Sequence, residues 1–211
     1  MHGTMSQFLA WAFLVLPVFL LVLSVHEAAH AGVAYLLGDS TAKRMGRLSL
    51  NPLVHIDPVG LLALLVFRIG WAKPVIFDHR NFKRPRLYSV LTAYAGPVSN
   101  FLLALLAMIC WKYFPFTHVS VGVATTFVQL FEATAYVSVM LGVFNLMPIP
   151  PLDGSHVLMV LLIDRFPRAV LWLYRYSILI LIFFFILIPQ TRFFLLFLIG
   201  TVYKLLHSLV F

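Results

Sequence analysis

Residues 8 to 25 form a stretch of eighteen residues without a charge, and the sequence His26-Glu27-Ala28-Ala29-His30 follows it directly. A run of about 20 apolar residues is long enough to cross a bilayer as a helix. Residues four apart share one face of a helix, so His26 and His30 can offer imidazole nitrogens to one metal ion. The alternative is two histidines satisfied by hydrogen bonds, but ionisable residues in an apolar helix are costly and usually functional. The stretch therefore predicts a membrane helix that carries a metal site.

The composition predicts a membrane protein rather than a soluble one. The chain is 62% hydrophobic and 10% charged, whereas soluble domains carry about 25% charged residues. We predict an all-α polytopic membrane protein with about five transmembrane helices and a re-entrant or interfacial segment that can include short β-structure. It forms one membrane-embedded domain over residues 1–211, with a catalytic core at about 8–163 and a C-terminal helical pair at about 168–211. The net charge of +8 lies in the loops, which fits the positive-inside rule better than nucleic-acid binding.

The order of apolar runs predicts the topology. We expect spans at about residues 8–37, 88–113, 119–147, 171–188 and 193–211, with the first helix retained rather than cleaved as a signal peptide. The run at 59–70 is too short to span, and basic residues that include Arg68 and Lys73 flank it, so we expect it to re-enter. Ten of the fifteen Lys and Arg residues then lie in cytoplasmic segments, and only Lys112 and Arg192 lie outside. This predicts the N-terminus outside, the C-terminus inside and the metal site towards the cytoplasm.

A catalytic zinc ion takes three protein ligands, so a third ligand is needed besides His26 and His30. The candidates are Asp57, Asp78, Asp153, His55, His79 and His156. Asp153 is favoured over His156, because the Pro-rich end of the third span reaches the depth of the histidines. Asp153 can alternatively serve as a helix N-cap. Glu132 is expected to face the bundle as a protonated or hydrogen-bonded side chain, with a second catalytic role as the alternative.

Three motifs in this order resemble one known family. They are Val25-His26-Glu27-Ala28-Ala29-His30, Gly96-Pro97-x-x-Asn100, and Asn145-x-x-Pro148-x-Pro150-Pro151-Leu152-Asp153-Gly154. They resemble the site-2 protease family of intramembrane zinc metalloproteases, in its compact prokaryotic branch without PDZ or CBS modules. The resemblance implies one Zn²⁺ held by His26, His30 and Asp153, water activated by Glu27, and Asn145 as a residue that helps to hold the substrate.

The expected function is hydrolysis of peptide bonds in or near transmembrane segments of membrane-protein substrates. Zinc-activated water is the nucleophile and Glu27 the general base. His55 is a candidate transition-state stabiliser, with a hydrogen-bonded structural role as its alternative. The protein is expected in the bilayer of a prokaryotic plasma membrane, without nucleic-acid partners. Two rival functions are a catalytically silent metal-binding scaffold and a proton or metal transporter, which tight binding of one zinc ion would separate.

Overall fold

A computed structural model describes residues 5–67 and 70–211 of the chain. Its α-helices, in chain order, are α1 (Met5–Leu36), α2 (Thr41–Arg44), α3 (Pro58–Phe67), α4 (Pro85–Tyr113), α5 (Val121–Asn145), α6 (Ser155–Leu162), α7 (Pro167–Arg175), α8 (Ser177–Ile182) and α9 (Pro189–Val210). Four of them, α1, α4, α5 and α9, are long and apolar enough to cross a membrane, and α7 with α8 forms a bent pair that brings the count to five if it is one span. The prediction of an all-α polytopic membrane protein is confirmed.

Helix α4 lies at the centre of the bundle. It is antiparallel to α1, because His26 contacts Asn100 whereas His30, further along α1, contacts Thr92. Its other face packs on α5, where a Cβ added to Gly142 would lie 2.9 Å from the Phe101 ring. Small residues let membrane helices approach closely without leaving polar groups exposed. Helix α4 continues through Pro97 as one helix.

The segment around α3 begins and ends at neighbouring positions in the fold. A helix of ten residues is about 15 Å long, too short for about 30 Å of hydrocarbon. The Lys73 N–H donates to the His55 carbonyl oxygen at 2.8 Å, and Ile56 pairs with Ala72 in an isolated antiparallel bridge. Because the residues on both sides of α3 lie side by side, the segment folds back as predicted and its β-structure is this bridge. Arg68 lies outside the described residues.

The predicted course of the C-terminal part is wrong. Helices α7 and α8 meet at a bend of 69°, and Phe185, just after α8, lies 5.5 Å from the Phe144 ring at the end of α5. This pair therefore starts and ends at the same end of the bundle instead of crossing it. Hydropathy misses the bend, since both halves are apolar.

Helix α9 consequently runs parallel to α4. Ile199 packs against Ala104, the rings of Trp111 and His207 lie 6.2 Å apart, and Lys112 Nζ contacts the Val210 carbonyl oxygen. The end of α9 thus lies beside the end of α4, where α1 begins. The predicted C-terminus on the opposite side from the N-terminal end of α1 is not supported.

The corrected topology keeps the charge asymmetry and moves Arg192 to the other end of the bundle. We call the end where α1 ends and α4 begins the basic end; its connecting segments carry Lys43, Arg44, Arg47, Lys83 and Arg84. Arg192, which the sequence analysis placed at the far end, lies in the first turn of α9, about 27 Å before the end of that helix. Of the two basic residues expected at the far end, only Lys112 remains there.

Candidate metal centre and active site

Two histidines of α1 and one aspartate from the loop after α5 converge on one point. The Nε2 atoms of His26 and His30 lie 3.0 Å apart. Asp153 Oδ2 lies 3.1 Å from His26 Nε2 and 3.4 Å from His30 Nε2. Among the described residues, these three form the cluster that can hold a metal ion. Sequence reasoning named the same three residues as ligands.

The spacing of these atoms fits zinc. Ligand atoms about 2.0–2.1 Å from a tetrahedral zinc ion lie about 3.3 Å from one another, close to the three observed distances. Burial alone would raise the pKa of the Asp153 carboxyl, but the imidazoles of His26 and His30 hold that pKa below its usual range. An ionised carboxylate oxygen without a conventional hydrogen bond therefore faces the centre, as a metal ligand should.

The partner of His30 fixes which ring nitrogen faces the centre. His30 Nδ1 lies 2.8 Å from the Thr92 carbonyl oxygen on α4. A carbonyl only accepts, so Nδ1 carries the proton and the Nε2 of a neutral ring presents a lone pair. Such an outer contact is what orients metal-binding histidines. Sequence reasoning missed Thr92, because a backbone acceptor has no sequence signal.

Asn100 plays the same part for His26. Its amide group lies 3.1 Å from His26 Nδ1, so this hydrogen bond links α4 to α1. If His26 Nε2 binds metal as a neutral ring, Nδ1–H must donate, so the amide oxygen should face it. Turning the amide would also give a partner to the buried, unpartnered Asn100 Oδ1.

Gly96 forms the back of the site. A Cβ at this position would lie 2.3 Å from His30 Nε2 and 2.5 Å from His26 Cε1. No side chain fits there, so α4 can approach the two imidazoles only because residue 96 is glycine. The sequence allowed either a break or a close helix contact at this position, and the close contact is found.

Glu27 is held by the non-helical segment at residues 73–77, which follows α3. The Val75 N–H donates to Glu27 Oε2 at 3.0 Å, and only 8% of the Glu27 surface is exposed. One carboxylate oxygen is therefore fixed by the backbone, which leaves the other to act on a water molecule. Val75 carries no sequence signal for this contact, because its contribution is a backbone N–H.

Asp39 fastens the same segment to the end of α1. Its buried carboxylate accepts hydrogen bonds from the Asp78 N–H at 2.7 Å and from the Asn81 side chain at 2.7 Å, as well as from Thr41. Burial would raise the pKa of the Asp39 carboxyl, but these hydrogen bonds lower it. Asp39 thus helps to keep Val75 beside Glu27, a role that sequence reasoning missed.

The loop after α5 brings Asp153 to the histidines. The Gly154 N–H donates to the Asn145 carbonyl oxygen at 2.7 Å, and a Cβ on Gly154 would lie 2.1 Å from the Leu146 carbonyl oxygen. The helix α6 starts at Ser155 with Gly154 as its N-cap, so Asp153 is not the N-cap that was considered. The Asn145 amide donates to the Leu141 carbonyl oxygen, and its contact with substrate stays a prediction.

The other candidate residues lie outside the metal cluster. His156 lies in the first turn of α6 and is not a member of the metal cluster. Burial lowers the pKa of its imidazole. His55 Nε2 lies 2.8 Å from the Ser49 carbonyl oxygen, which favours its structural role. Asp57 caps the start of α3, and the Arg80 hydrogen bond lowers the pKa of Asp78 to about 2.

The second glutamate of the chain is not part of the site. Glu132 is exposed on α5, thirteen residues or about 20 Å before the end of that helix. The expectation that it faces the bundle is wrong, and nothing in its position supports a second catalytic role.

Comparison with known proteins identifies the family. The model of peptidase family M50 matches residues 115–188, which include the loop of Asp153. "Putative zinc metalloprotease YwhC" of Bacillus subtilis is 40% identical over 160 residues, which cover 73% of this chain and 73% of that protein. "Putative zinc metalloprotease Rip2" of Mycolicibacterium smegmatis is 31% identical over 147 residues, 67% of this chain and 54% of that protein. No solved structure matches the chain.

The family, the metal cluster and the apolar helices agree with one another. Zinc is the cofactor that the relatives' names give, and the histidine and aspartate atoms have the spacing that zinc requires. The chain therefore belongs to peptidase family M50, the site-2 protease family, and is a membrane-embedded zinc metalloprotease.

Proposed function

We propose that the protein hydrolyses peptide bonds in or near transmembrane segments of other membrane proteins, with His26, His30 and Asp153 as the zinc ligands and Glu27 as the general base. One observation carries the proposal. The three ligand atoms lie 3.0, 3.1 and 3.4 Å apart beside a buried glutamate, and this glutamate and the two histidines lie on a helix long and apolar enough to cross a membrane. A protease site at this position meets its substrate within or close to the bilayer.

Zinc, when bound, supplies a Lewis acid that polarises the scissile carbonyl and makes water a better nucleophile. Glu27 accepts a proton from the water molecule while the water oxygen forms a bond to the carbonyl carbon. Glu27 then gives that proton to the leaving nitrogen as the carbon–nitrogen bond breaks. The Val75 N–H keeps the carboxylate in one orientation through both transfers. The hydrogen bonds that the imidazoles of His30 and His26 donate to Thr92 and Asn100 keep the rings turned towards the centre.

The substrate strand has a place to lie beside Glu27. A helix hides its amide groups, so a transmembrane substrate must unwind locally before hydrolysis. Residues 73–77 form neither helix nor strand, and the N–H groups of Ile76 and Phe77 have no hydrogen-bond partner within the described residues. An extended peptide can add to such a backbone edge through main-chain hydrogen bonds. This contact would position the scissile bond next to the general base.

We further propose that the site faces the cytoplasm of a bacterial plasma membrane. The site lies towards the basic end of the bundle, where α1 ends and α4 begins. Basic residues in short loops favour the cytoplasmic side of a membrane protein. The concentration of Lys and Arg at this end supports the orientation.

The test is cleavage of a panel of single-span membrane substrates by the purified, zinc-loaded protein. Glu27→Gln should abolish cleavage but retain one zinc ion per chain, since Glu27 is not a ligand. Glu132→Gln is the matched control, because it changes the only other glutamate of the sequence and that residue is exposed. Chelation of zinc should remove activity from the wild type. Cleavage by Glu27→Gln at the wild-type rate would refute the mechanism, and a zinc-loaded but inactive wild type would favour the scaffold function.

A further inference from the structure

A cavity lies at the basic end of the bundle, between segments that also carry residues of the metal site. It has a volume of about 270 Å³ and lies between the start of α4, helix α6 and helix α7. Most of its lining is apolar and includes Phe77, Val160 and Val170. The mechanism above makes no use of it.

Three segments lead from the catalytic residues directly into this cavity. Phe77 lies two residues after Val75, which holds Glu27. Ser89 lies one helical turn before Thr92, which holds His30, and His156 lies three residues after Asp153. All of Phe77, Ser89 and His156 line the cavity. Two residues of extended chain span about 7 Å, so the cavity is within reach of a side chain two or three positions from the scissile bond.

The size and walls of the cavity suit an aromatic side chain. A dry apolar cavity of about 150 Å³ is sufficient to bind benzene, so a volume of about 270 Å³ holds a phenyl, phenol or indole ring. The rings of Phe77 and His156 lie with their centroids 6.0 Å apart, and aromatic rings pack well at offset or edge-on contacts. The polar lining includes Ser89 and Tyr174, which can meet the hydroxyl of a tyrosine or the N–H of a tryptophan.

Charge at the rim does not favour an anionic occupant. Arg86 lines the cavity, but its guanidinium lies 2.7 Å from the Asp164 carboxylate. The two charges largely offset each other, and the remaining walls are mainly apolar. An uncharged, bulky group is therefore a better match than a phosphate or a carboxylate.

We propose that this cavity is a substrate subsite that receives a bulky aromatic side chain, on the side of the scissile bond nearer the basic end of the bundle. The inference rests on the proposed protease function, since it names a specificity determinant of that same site. Substrates with Phe, Tyr or Trp at this position would be cleaved better than those with Ala.

The test combines a cavity-filling variant with a substrate series. In one single-span substrate that the wild type cleaves, each of the four residues on either side of the scissile bond is replaced in turn by Phe and by Ala. Burial of an aromatic ring predicts one position at which Phe raises kcat/KM over Ala by about tenfold or more. Val160→Phe places a ring inside the cavity and should reduce this Phe-to-Ala ratio to about one. Leu161→Phe is the matched control, because Leu161 is the next residue of α6 and is 70% exposed, and it should leave the ratio unchanged.

A binding measurement makes the outcome independent of turnover. Zinc-loaded Glu27→Gln protein should bind the Phe-bearing peptide about tenfold more tightly than the Ala-bearing peptide, and adding Val160→Phe should remove the difference. A wild type that cleaves substrates without an aromatic preference, or a preference that persists in Val160→Phe, overturns the subsite and leaves the protease function intact. Peptide binding with this preference but no cleavage supports the subsite and refutes the protease function. Loss of a co-purified phospholipid in Val160→Phe, with peptide preference unchanged, assigns the cavity to lipid and overturns the proposal.

Discussion

Helices α1 and α9 are both apolar enough to cross a membrane, yet they occupy very different surroundings. In its most apolar stretch, 39% of α1 is buried, against 11% of α9. Helix α1 buries Ser24, His26, Glu27 and His30, whereas α9 buries Ile199. Apolar residues select a membrane helix, but they pack as well on lipid as on protein. Polar and small side chains decide which helices meet, and they do so in α1 and α4 far more than in α9.

The sharpest test of this contrast replaces a glycine in each region. Gly96→Ala would place a Cβ 2.3 Å from His30 Nε2, so the imidazoles must move and we expect loss of both bound zinc and cleavage. Gly200→Ala on α9 meets no atom within 4 Å, so it should keep zinc and activity, with stability raised by up to about 1 kcal/mol through helix propensity. Zinc content and thermal unfolding in detergent measure both. If Gly96→Ala and Gly200→Ala had the same zinc content and stability, the contrast between α1–α4 and α9 would be wrong.

The second test removes a polar contact between α1 and α4. Asn100→Ala deletes the partner of His26 Nδ1, and loss of such outer contacts typically lowers metal affinity by about 10- to 100-fold. Asn100→Asp keeps an acceptor oxygen and should retain zinc affinity close to that of the wild type. Competition with a fluorescent chelator gives the affinities. If both variants bind zinc equally weakly, packing and not the hydrogen bond determines the effect.

The third test loosens the segment that Asp39 fastens to α1. Asp39→Asn should reduce cleavage by about tenfold and stability by about 1–3 kcal/mol, because a buried acceptor of several hydrogen bonds is impaired. Zinc content should stay unchanged, since Asp39 is not a ligand.

The pH dependence of stability checks the same residue. The folded state lowers the pKa of Asp39, so its contribution is full above the ordinary carboxyl pKa of about 3.9 and is lost as pH falls through the lower folded value. Thermal unfolding of the wild type and of Asp39→Asn should therefore be measured between about pH 3 and 7. We expect the difference in stability between the two proteins to shrink as the pH falls. A gap that stays constant down to the lowest pH would contradict this assignment.

The smallest effect is expected where the charges are exposed. Arg86 and Asp164 form an ion pair whose side chains are 65% and 61% exposed, and exposed pairs contribute about 0–1 kcal/mol. Asp164→Asn should change the free energy of unfolding by less than about 1 kcal/mol, and high salt should reduce this difference between variant and wild type further. A larger loss would show that this pair anchors α6 to α4 as firmly as the buried contacts anchor α1.

The sequence predicts the helices near the metal site well and the C-terminal part poorly, for one physical reason. Around the site, the helices carry residues whose chemistry reveals their position, such as paired histidines on one face or a carboxylate at a proline-rich break. Residues 171–188 carry only apolar patterning, which does not distinguish a straight span from a helix pair bent by 69°. The direction of α9 is wrong for the same reason. Asp153 was separable from His156 by depth, whereas the contributions of Thr92 and Val75 come from their backbones and leave no trace in the side-chain pattern.

The close approach at Gly96 closes one side of the metal site. The imidazoles press against the backbone of α4, so the side chains of His26 and His30 are 5% and 9% exposed, against 19% for the side chain of Asp153. On the proposed function, water and peptide would both reach the zinc from the side that α4 leaves open. A peptide bound there would cover the zinc, so the attacking water molecule should bind before the peptide does.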